Sequence, residues 1–157
     1  IEPEVGQVMP AQPVRPFSQT ESAGGTDLKP PPPESLLKEA EALCKLGEKS
    51  LRDWKISIGN LYQAVSSFEK AIHLLEPLSP RPELYEKVIG GLTEANSKLD
   101  EQFRAHKFAL EKALRFKDYE GVQMELRIIQ ELIPERTDPR ALYALEKQRE
   151  IDELKNQ

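Results

Sequence analysis

The chain contains 157 residues and carries a net charge of −5, a length that fits one domain with a tail. Such a mildly acidic protein lacks the concentrated basic surface that general nucleic-acid binding requires. Its single cysteine excludes an intrachain disulfide and a Cys-rich zinc site. No apolar run approaches the ~20 residues that are needed to span a bilayer.

Proline is concentrated at the start of the chain. Residues 1–34 hold 8 of the 13 prolines and few large apolar side chains, so they cannot bury enough surface to offset the entropy of ordering them. We therefore expect a disordered proline-rich linker at 1–34 and a helical domain at 35–157. PxxP spacings at Pro10–Pro13 and Pro13–Pro16 leave two interpretations of the linker, a docking motif for an SH3-type partner and a plain spacer.

The residues after the linker follow helical spacing. Pro33 favours the start of a first helix, with Ser35 as its N-cap. A break around 53–57 separates this helix from a second one, whose apolar stripe covers 58–75 and which Pro77 stops. Together the two helices are expected to form a hairpin.

The third helix is predicted to be long, because no proline interrupts the chain from Glu83 to about Lys117. Its apolar residues step by three or four and form a narrow seam, close to the spacing of a coiled coil. The residues of this seam are Leu84, Val88, Leu92, Ala95, Leu99, Phe103, His106, Leu110 and Ala113. Gly90-Gly91 allows a kink, since each glycine costs about 1 kcal/mol relative to alanine.

Two shorter helices complete the chain. Asp118 is expected to cap a fourth helix, which Pro134 ends, and Asp138-Pro139 marks the start of a last helix over 139–155. This last helix is polar enough to face solvent on most sides. No stretch shows the alternation of a strand. The sequence therefore predicts an all-α fold of antiparallel helix hairpins.

Two passages share one pattern. An apolar residue is followed four positions later by a large apolar residue and three positions after that by a further apolar residue, and a proline follows. The passages are Ala64, Phe68, Ala71 and Pro77, and Val122, Leu126, Ile129 and Pro134. A Leu46-Gly47 pair precedes the first passage. This pattern resembles the tetratricopeptide repeat, in which the small–large–small positions of the second helix pack into the first helix and the proline closes the unit.

The resemblance covers about residues 36–155 and departs from the family in its spacing. Ala64 and Val122 are 58 residues apart, against a family period of about 34 residues, and the first turn is lengthened around 53–57. The resemblance implies a short, irregular tetratricopeptide-like array of about two stacked units, with one long helix and a C-terminal capping helix. A tether followed by one such unit and a long helix also looks similar to the C-terminal portions of bacterial forkhead-associated and envelope-assembly proteins, which implies a C-terminal module of a larger bacterial scaffold protein.

In tetratricopeptide arrays, the first helix of each unit lines the wall that binds the partner. Carried over by position, the wall residues in the third helix are Arg104, Lys107, Glu111 and Arg115. The cations among them could pair with an acidic or carboxylate-terminated peptide, and the alternative is that all four are ordinary solvated side chains. Trp54 leaves a similar choice, between an interface anchor and a residue that closes the end of the first hairpin.

No catalytic, cofactor or metal site can be assembled from the sequence. His73 and His106 have no second ligand at helical spacing, Cys44 lies on a buried stripe, and no phosphate-binding or nucleophile motif is present. We therefore expect a non-catalytic scaffold or adaptor that binds a partner protein or peptide within a larger assembly. Neither nucleic acid nor a membrane-spanning segment enters this interpretation.

Two alternatives stay open. One is a structural homo-oligomerisation module of a ring, a filament or a secretion-type envelope complex, in which the seam of the third helix pairs with a second copy. The other is a secretion-type chaperone that holds an apolar segment. Because the chain begins with Ile1, we expect a fragment or a processed product; the cytoplasm is favoured over the periplasm, which would require that an upstream leader or anchor was removed.

Overall fold

The computed structural model of the protein describes residues 30–157, and the PxxP spacings and most of the expected linker lie outside this range. Five helices account for most of the described residues, and no strand occurs among them. They are α1 (Pro33–Arg52), α2 (Asn60–Leu75), α3 (Glu83–Arg115), α4 (Tyr119–Leu132) and α5 (Pro139–Lys155). The prediction of an all-α fold is confirmed, and Pro31–Gln157 forms one compact unit.

Helix α1 begins without a side-chain cap. Pro32 is the N-cap residue, in an extended conformation with φ −61° and ψ 147°, and Pro33 is the first helical residue. The prediction of Ser35 as the N-cap is wrong, because Ser35 already lies inside the helix and its N–H donates to the Pro32 carbonyl at 2.9 Å. Proline has no N–H to satisfy and its φ is preset for a helix, so α1 starts before any capping residue.

The first hairpin is centred on the ring of Phe68 in α2. Ala64, Phe68 and Ala71 are fully buried, which agrees with the packing role that the repeat pattern assigns to them. Helix α1 approaches the ring at Gly47, where an added β-carbon would lie 2.8 Å from Phe68 Cε1. Leu46 is 52% exposed, so the glycine of that pair is the residue that supports the close packing.

Helix α3 packs against the same ring and runs without interruption through both of its glycines. A β-carbon added to Gly91 would lie 2.6 Å from Phe68 Cζ, whereas one added to Gly90 would meet nothing within 4 Å. Gly91 therefore allows α3 to approach α2 closely. The sequence interpretation treated this glycine pair as a place for a kink, and the helix instead uses one member of the pair as a packing contact.

The end of α3 comes two residues before the predicted Lys117. Lys117 adopts a left-handed conformation with φ 57°, and its N–H donates to the Leu114 carbonyl at 3.1 Å. The N–H of Asp118 donates to the Ala113 carbonyl at 2.9 Å, which completes a Schellman closure. Asp118 caps α4 as predicted, since its carboxylate accepts from the Gly121 N–H at 3.0 Å.

A second core lies between the C-terminal half of α3, α4 and α5. Its buried residues are Leu110, Val122, Leu126, Ile129, Ala144 and Ile151. The α4 residues of the second passage thus occupy the buried positions that the pattern assigns to them. Helices α2 and α4 end at Leu75 and Leu132, shortly before Pro77 and Pro134.

The apolar seam of α3 is used within the chain. Ala95, Leu99 and Leu110 are fully buried, and Phe103 packs edge-on against the Tyr143 ring at 6.1 Å between centroids. These residues of the seam are therefore covered by other helices of the same chain, whereas the self-pairing alternative places the seam against a second copy.

Candidate functional site

The outward side of α3 carries exposed aromatic residues between cations. Arg104, Phe108 and Lys112 follow one another at four-residue spacing, which places them on one side of a helix. The Phe108 side chain is 69% exposed and that of Phe116 is 74% exposed. We name as the basic–aromatic face the residues Arg104, Phe108, Lys112, Arg115 and Phe116. Residues 104–117 contain five basic residues and one acidic residue, in a chain whose net charge is negative.

Two of the predicted wall residues, Lys107 and Glu111, lie against helix α5 and not on the basic–aromatic face. Lys107 places its ammonium group 4.8 Å from the centroid of the Tyr143 ring, and Glu111 accepts a hydrogen bond from the Tyr143 hydroxyl at 3.2 Å. Both side chains are therefore half-buried against α5, while Arg104 and Arg115 are exposed. Lys107 and Glu111 therefore contact Tyr143 of the capping helix, whereas Arg104 and Arg115 lie on an exposed part of α3.

Tyr143 attaches α5 to this side of the long helix. Burial, followed by the charge and hydrogen bond of Glu111, raises the pKa of Tyr143 to about 12. Its hydroxyl therefore stays protonated and donates to Glu111 across the ordinary pH range. The negative charge of Glu111 is bound at this contact and does not lie on the basic–aromatic face.

One acidic residue near the basic–aromatic face in sequence is also engaged. Asp100 accepts from Arg140 Nη1 at 2.6 Å, in an ion pair that joins α3 to the start of α5. Arg104 Nε donates to the backbone carbonyl of Asp100 at 3.3 Å. The Asp100 carboxylate thus has a cationic partner in Arg140, and the Arg104 side chain is exposed to solvent.

Trp54 lies in the loop between α1 and α2. Its half-buried side chain packs against the first core, and the ammonium groups of Lys55 and Lys98 lie 5.4 and 5.7 Å from its ring centroid. The ring also lines a pocket of about 400 Å³, together with Ile58 and the α3 residue His106. Trp54 thus closes the end of the hairpin and presents part of its ring to a surface pocket.

The side chains most suited to chemistry, a cysteine and a histidine, are engaged in contacts within the fold. Cys44 is 2% exposed, and burial, with Glu48 as a smaller cause, raises the pKa of its thiol. His106 Nδ1 lies 2.7 Å from Glu125 Oε2.

Among residues 30–157, no three His, Cys, Asp or Glu side chains converge as a metal site would need. None of the helices in this range combines the length and the apolarity that crossing a bilayer would require.

The sequence interpretation missed Phe108, Lys112 and Phe116 as candidate binding residues. A usable signal was present, since Phe108 lies off the apolar seam of the third helix and has a basic residue four positions away on each side. An aromatic residue at such a position cannot join the core that the seam forms.

No family model matches the chain, and no curated protein and no solved structure has significant similarity to it. What the chain binds therefore has to be inferred from the chemistry of its own surface.

Proposed function

We propose that the chain is a non-catalytic adaptor, built as a short tetratricopeptide-like array, that binds an acidic segment of a partner protein on its basic–aromatic face. The observation that carries this proposal is the exposure of Phe108, at 69%, between Arg104 and Lys112. Burying a phenylalanine side chain fully is worth about 1.5–3 kcal/mol. A partner that covers Phe108 gains the part of this free energy that belongs to the exposed surface of the ring, and it meets cations on both sides of the ring.

The fitting partner segment combines an apolar side chain with nearby carboxylates. Arg104 and Arg115 have planar guanidinium groups, which bind carboxylates through two parallel hydrogen bonds. Helix α3 supplies a rigid support, because its opposite side is held by the buried Leu99 and Leu110. The backbone that carries the binding residues is therefore fixed in position before the partner arrives, which reduces the entropic cost of association.

A short acidic segment fits better than an extended anionic surface. The net charge of −5 repels a broad anionic object such as a membrane or a nucleic-acid duplex, whereas a peptide of a few residues senses mainly the local cations. Binding to anionic vesicles or to duplex DNA would be a different function. Titrations of the chain with phosphatidylserine vesicles and with duplex DNA, run beside the peptide experiment below, distinguish these functions.

The proposal can be tested by selecting peptides from a displayed library of random 12-residue sequences against the full chain. We expect enriched peptides that combine Asp or Glu with an aromatic or branched apolar residue. Phe108→Ala and the double variant Arg104→Glu/Arg115→Glu should each weaken the selected peptide about tenfold or more, the loss expected for residues at the centre of an interface. Circular dichroism checks that each variant keeps its helices.

A matched control uses lysines on another helix. Lys38 and Lys45 of α1 are exposed, so Lys38→Glu/Lys45→Glu makes the same change of net charge as the α3 double variant. We expect this control to bind the selected peptide nearly as well as the wild-type chain. Equal losses in the two double variants would mean that net charge alone drives binding. Binding of phosphatidylserine vesicles or duplex DNA in preference to every peptide would also contradict the proposal.

A further inference from the structure

The pocket beside Trp54 exists because the helices differ in length. Helix α3 has 33 residues, whereas α1 has 20 and α2 has 16, so α3 continues past the turn of the first hairpin. The loop that joins α1 to α2 lies against the middle of α3, and the end of α4 closes the remaining side. We name this cavity of about 400 Å³ the step pocket.

The walls of the step pocket are mainly apolar. Trp54 and Ile58 come from the loop, and Ile128 comes from α4. Ile58 is 40% exposed, and Ile56 beside it is 80% exposed. Three large apolar side chains in the seven-residue loop 53–59 leave apolar surface in water, and pockets that bind ligands are lined mainly by apolar side chains.

The polar groups of the step pocket favour an anion. Lys55 lines it, and its ammonium group lies 5.4 Å from the Trp54 ring centroid. None of the described residues that line the pocket is an Asp or a Glu. The carboxylate of Glu125, which lies next to the pocket, is bound to His106 at 2.7 Å. A ligand carboxylate would therefore meet the ammonium group of Lys55, which no carboxylate of the lining neutralises.

We propose that the step pocket binds one aromatic or branched apolar side chain of a partner protein, with an Asp or Glu adjacent to it in the partner's sequence. The apolar side chain contacts Trp54 and Ile58, and the carboxylate pairs with Lys55. This site is separate from the basic–aromatic face: Gln102 and His106 of α3 line the pocket, on a different side of the helix from Phe108.

Trp54 is the only tryptophan of the chain, so its indole N–H gives one unambiguous NMR signal for this site. The probes are blocked tetrapeptides with the sequences Ala-Phe-Asp-Ala, Ala-Phe-Asn-Ala and Ala-Ala-Asp-Ala, added to the full isotope-labelled chain. We expect saturable shifts of the indole signal with the first peptide and about threefold weaker binding of the second, the effect of one exposed ion pair. The third peptide should produce no saturable shift.

Variants separate the step pocket from the other face. Lys55→Gln should remove the difference between the Asp and Asn peptides, and Ile58→Asp should abolish binding of both. Because Lys55 and Ile58 are exposed, both variants should keep the fold. Arg104→Glu should leave the tetrapeptide titration unchanged, whether or not the chain binds partners on its basic–aromatic face. Equal affinity for the Asp and Asn peptides, or no saturable shift with either, would overturn the inference.

Discussion

The ring of Phe68 occupies the space that a side chain at Gly91 would need. A β-carbon on Gly91 would lie 2.6 Å from Phe68 Cζ, closer than unbonded carbon atoms approach. Gly47 of α1 is in the same situation, with 2.8 Å to Cε1. Two glycines from two helices therefore make room for one aromatic ring, and this contact fixes how α1, α2 and α3 pack.

This packing predicts opposite effects of the same substitution at neighbouring positions. Gly91→Ala should lower the free energy of unfolding by about 1–3 kcal/mol, because the added methyl group overpacks the Phe68 site. Gly90→Ala is the matched control and should raise the free energy of unfolding by about 0.5–1 kcal/mol, since alanine is the better helix former and its side chain meets no neighbour. Urea unfolding measures both values. Stabilisation by both substitutions would show that Phe68 does not fill this space.

The turn after α3 predicts a stabilising substitution. Lys117 holds a left-handed conformation with φ 57°, which costs a residue with a β-carbon roughly 1 kcal/mol. Lys117→Gly should therefore raise the free energy of unfolding by about 1 kcal/mol, provided that the loss of the lysine charge has little effect. Lys117→Ala removes the same charge and keeps the β-carbon, so it should not stabilise. Equal effects of the two substitutions would argue against the Schellman closure.

The cap of α5 predicts a dependence of stability on pH. Hydrogen bonding to Arg140 lowers the pKa of Asp138. The Asp138 carboxylate therefore binds a proton less readily in the folded state than in the unfolded chain. The stabilisation is present above the unfolded-state pKa, about 3.9, and is lost as the pH falls through the lower folded-state value.

Asp138→Asn keeps a capping acceptor and removes the charge. This variant should be less stable than the wild-type chain by about 1 kcal/mol near neutral pH, and the difference should shrink below about pH 4. Asp118→Asn is the control, because Asp118 caps α4 through the Gly121 N–H and asparagine caps equally well. Thermal unfolding over a pH series measures the difference. A gap between wild type and Asp138→Asn that persists unchanged in acid would rule out the charge as its cause.

The burial of Cys44 predicts that its thiol reacts slowly with alkylating reagents in the folded chain. Its side chain is 2% exposed, and burial raises its pKa, so the reactive thiolate is both scarce and covered. Alkylation by iodoacetamide in the native chain should be slower than in urea by about two orders of magnitude or more, because it has to wait for opening of the fold. Mass spectrometry of quenched samples measures both rates. Native alkylation at the rate found in urea would mean that α1 does not cover this residue.

The elements that the sequence predicts well are those whose causes are local. Asp118 and Asp138 cap their helices through bonds to backbone groups within three residues, and prolines stop α2 and α4 soon after their last turns. The buried positions around Phe68 and Leu126 follow from helical periodicity, which is also local. These features depend on neighbours in the chain.

The features that the sequence interpretation missed depend on distant contacts. Gly91 meets a ring that lies 23 positions earlier in the chain, so its packing role has no local signal. Lys107 and Glu111 are covered by Tyr143, on a helix that was expected to face solvent on most sides. The candidate binding residues on α3 are therefore those of the basic–aromatic face, which includes Phe108, and no longer include Lys107 and Glu111. Periodicity places residues on a face of a helix, but tertiary packing decides which faces stay open.

The central claim is that the exposed cations around Phe108 recognise carboxylates of a partner. A charge exchange tests it most directly: the selected acidic peptide and a version with its Asp and Glu residues replaced by Lys are each titrated calorimetrically against the wild-type chain and against Arg104→Glu/Arg115→Glu. The wild-type chain should bind the acidic peptide more tightly, and the variant should prefer the lysine version. A variant that keeps the wild-type preference for the acidic peptide would contradict the claim.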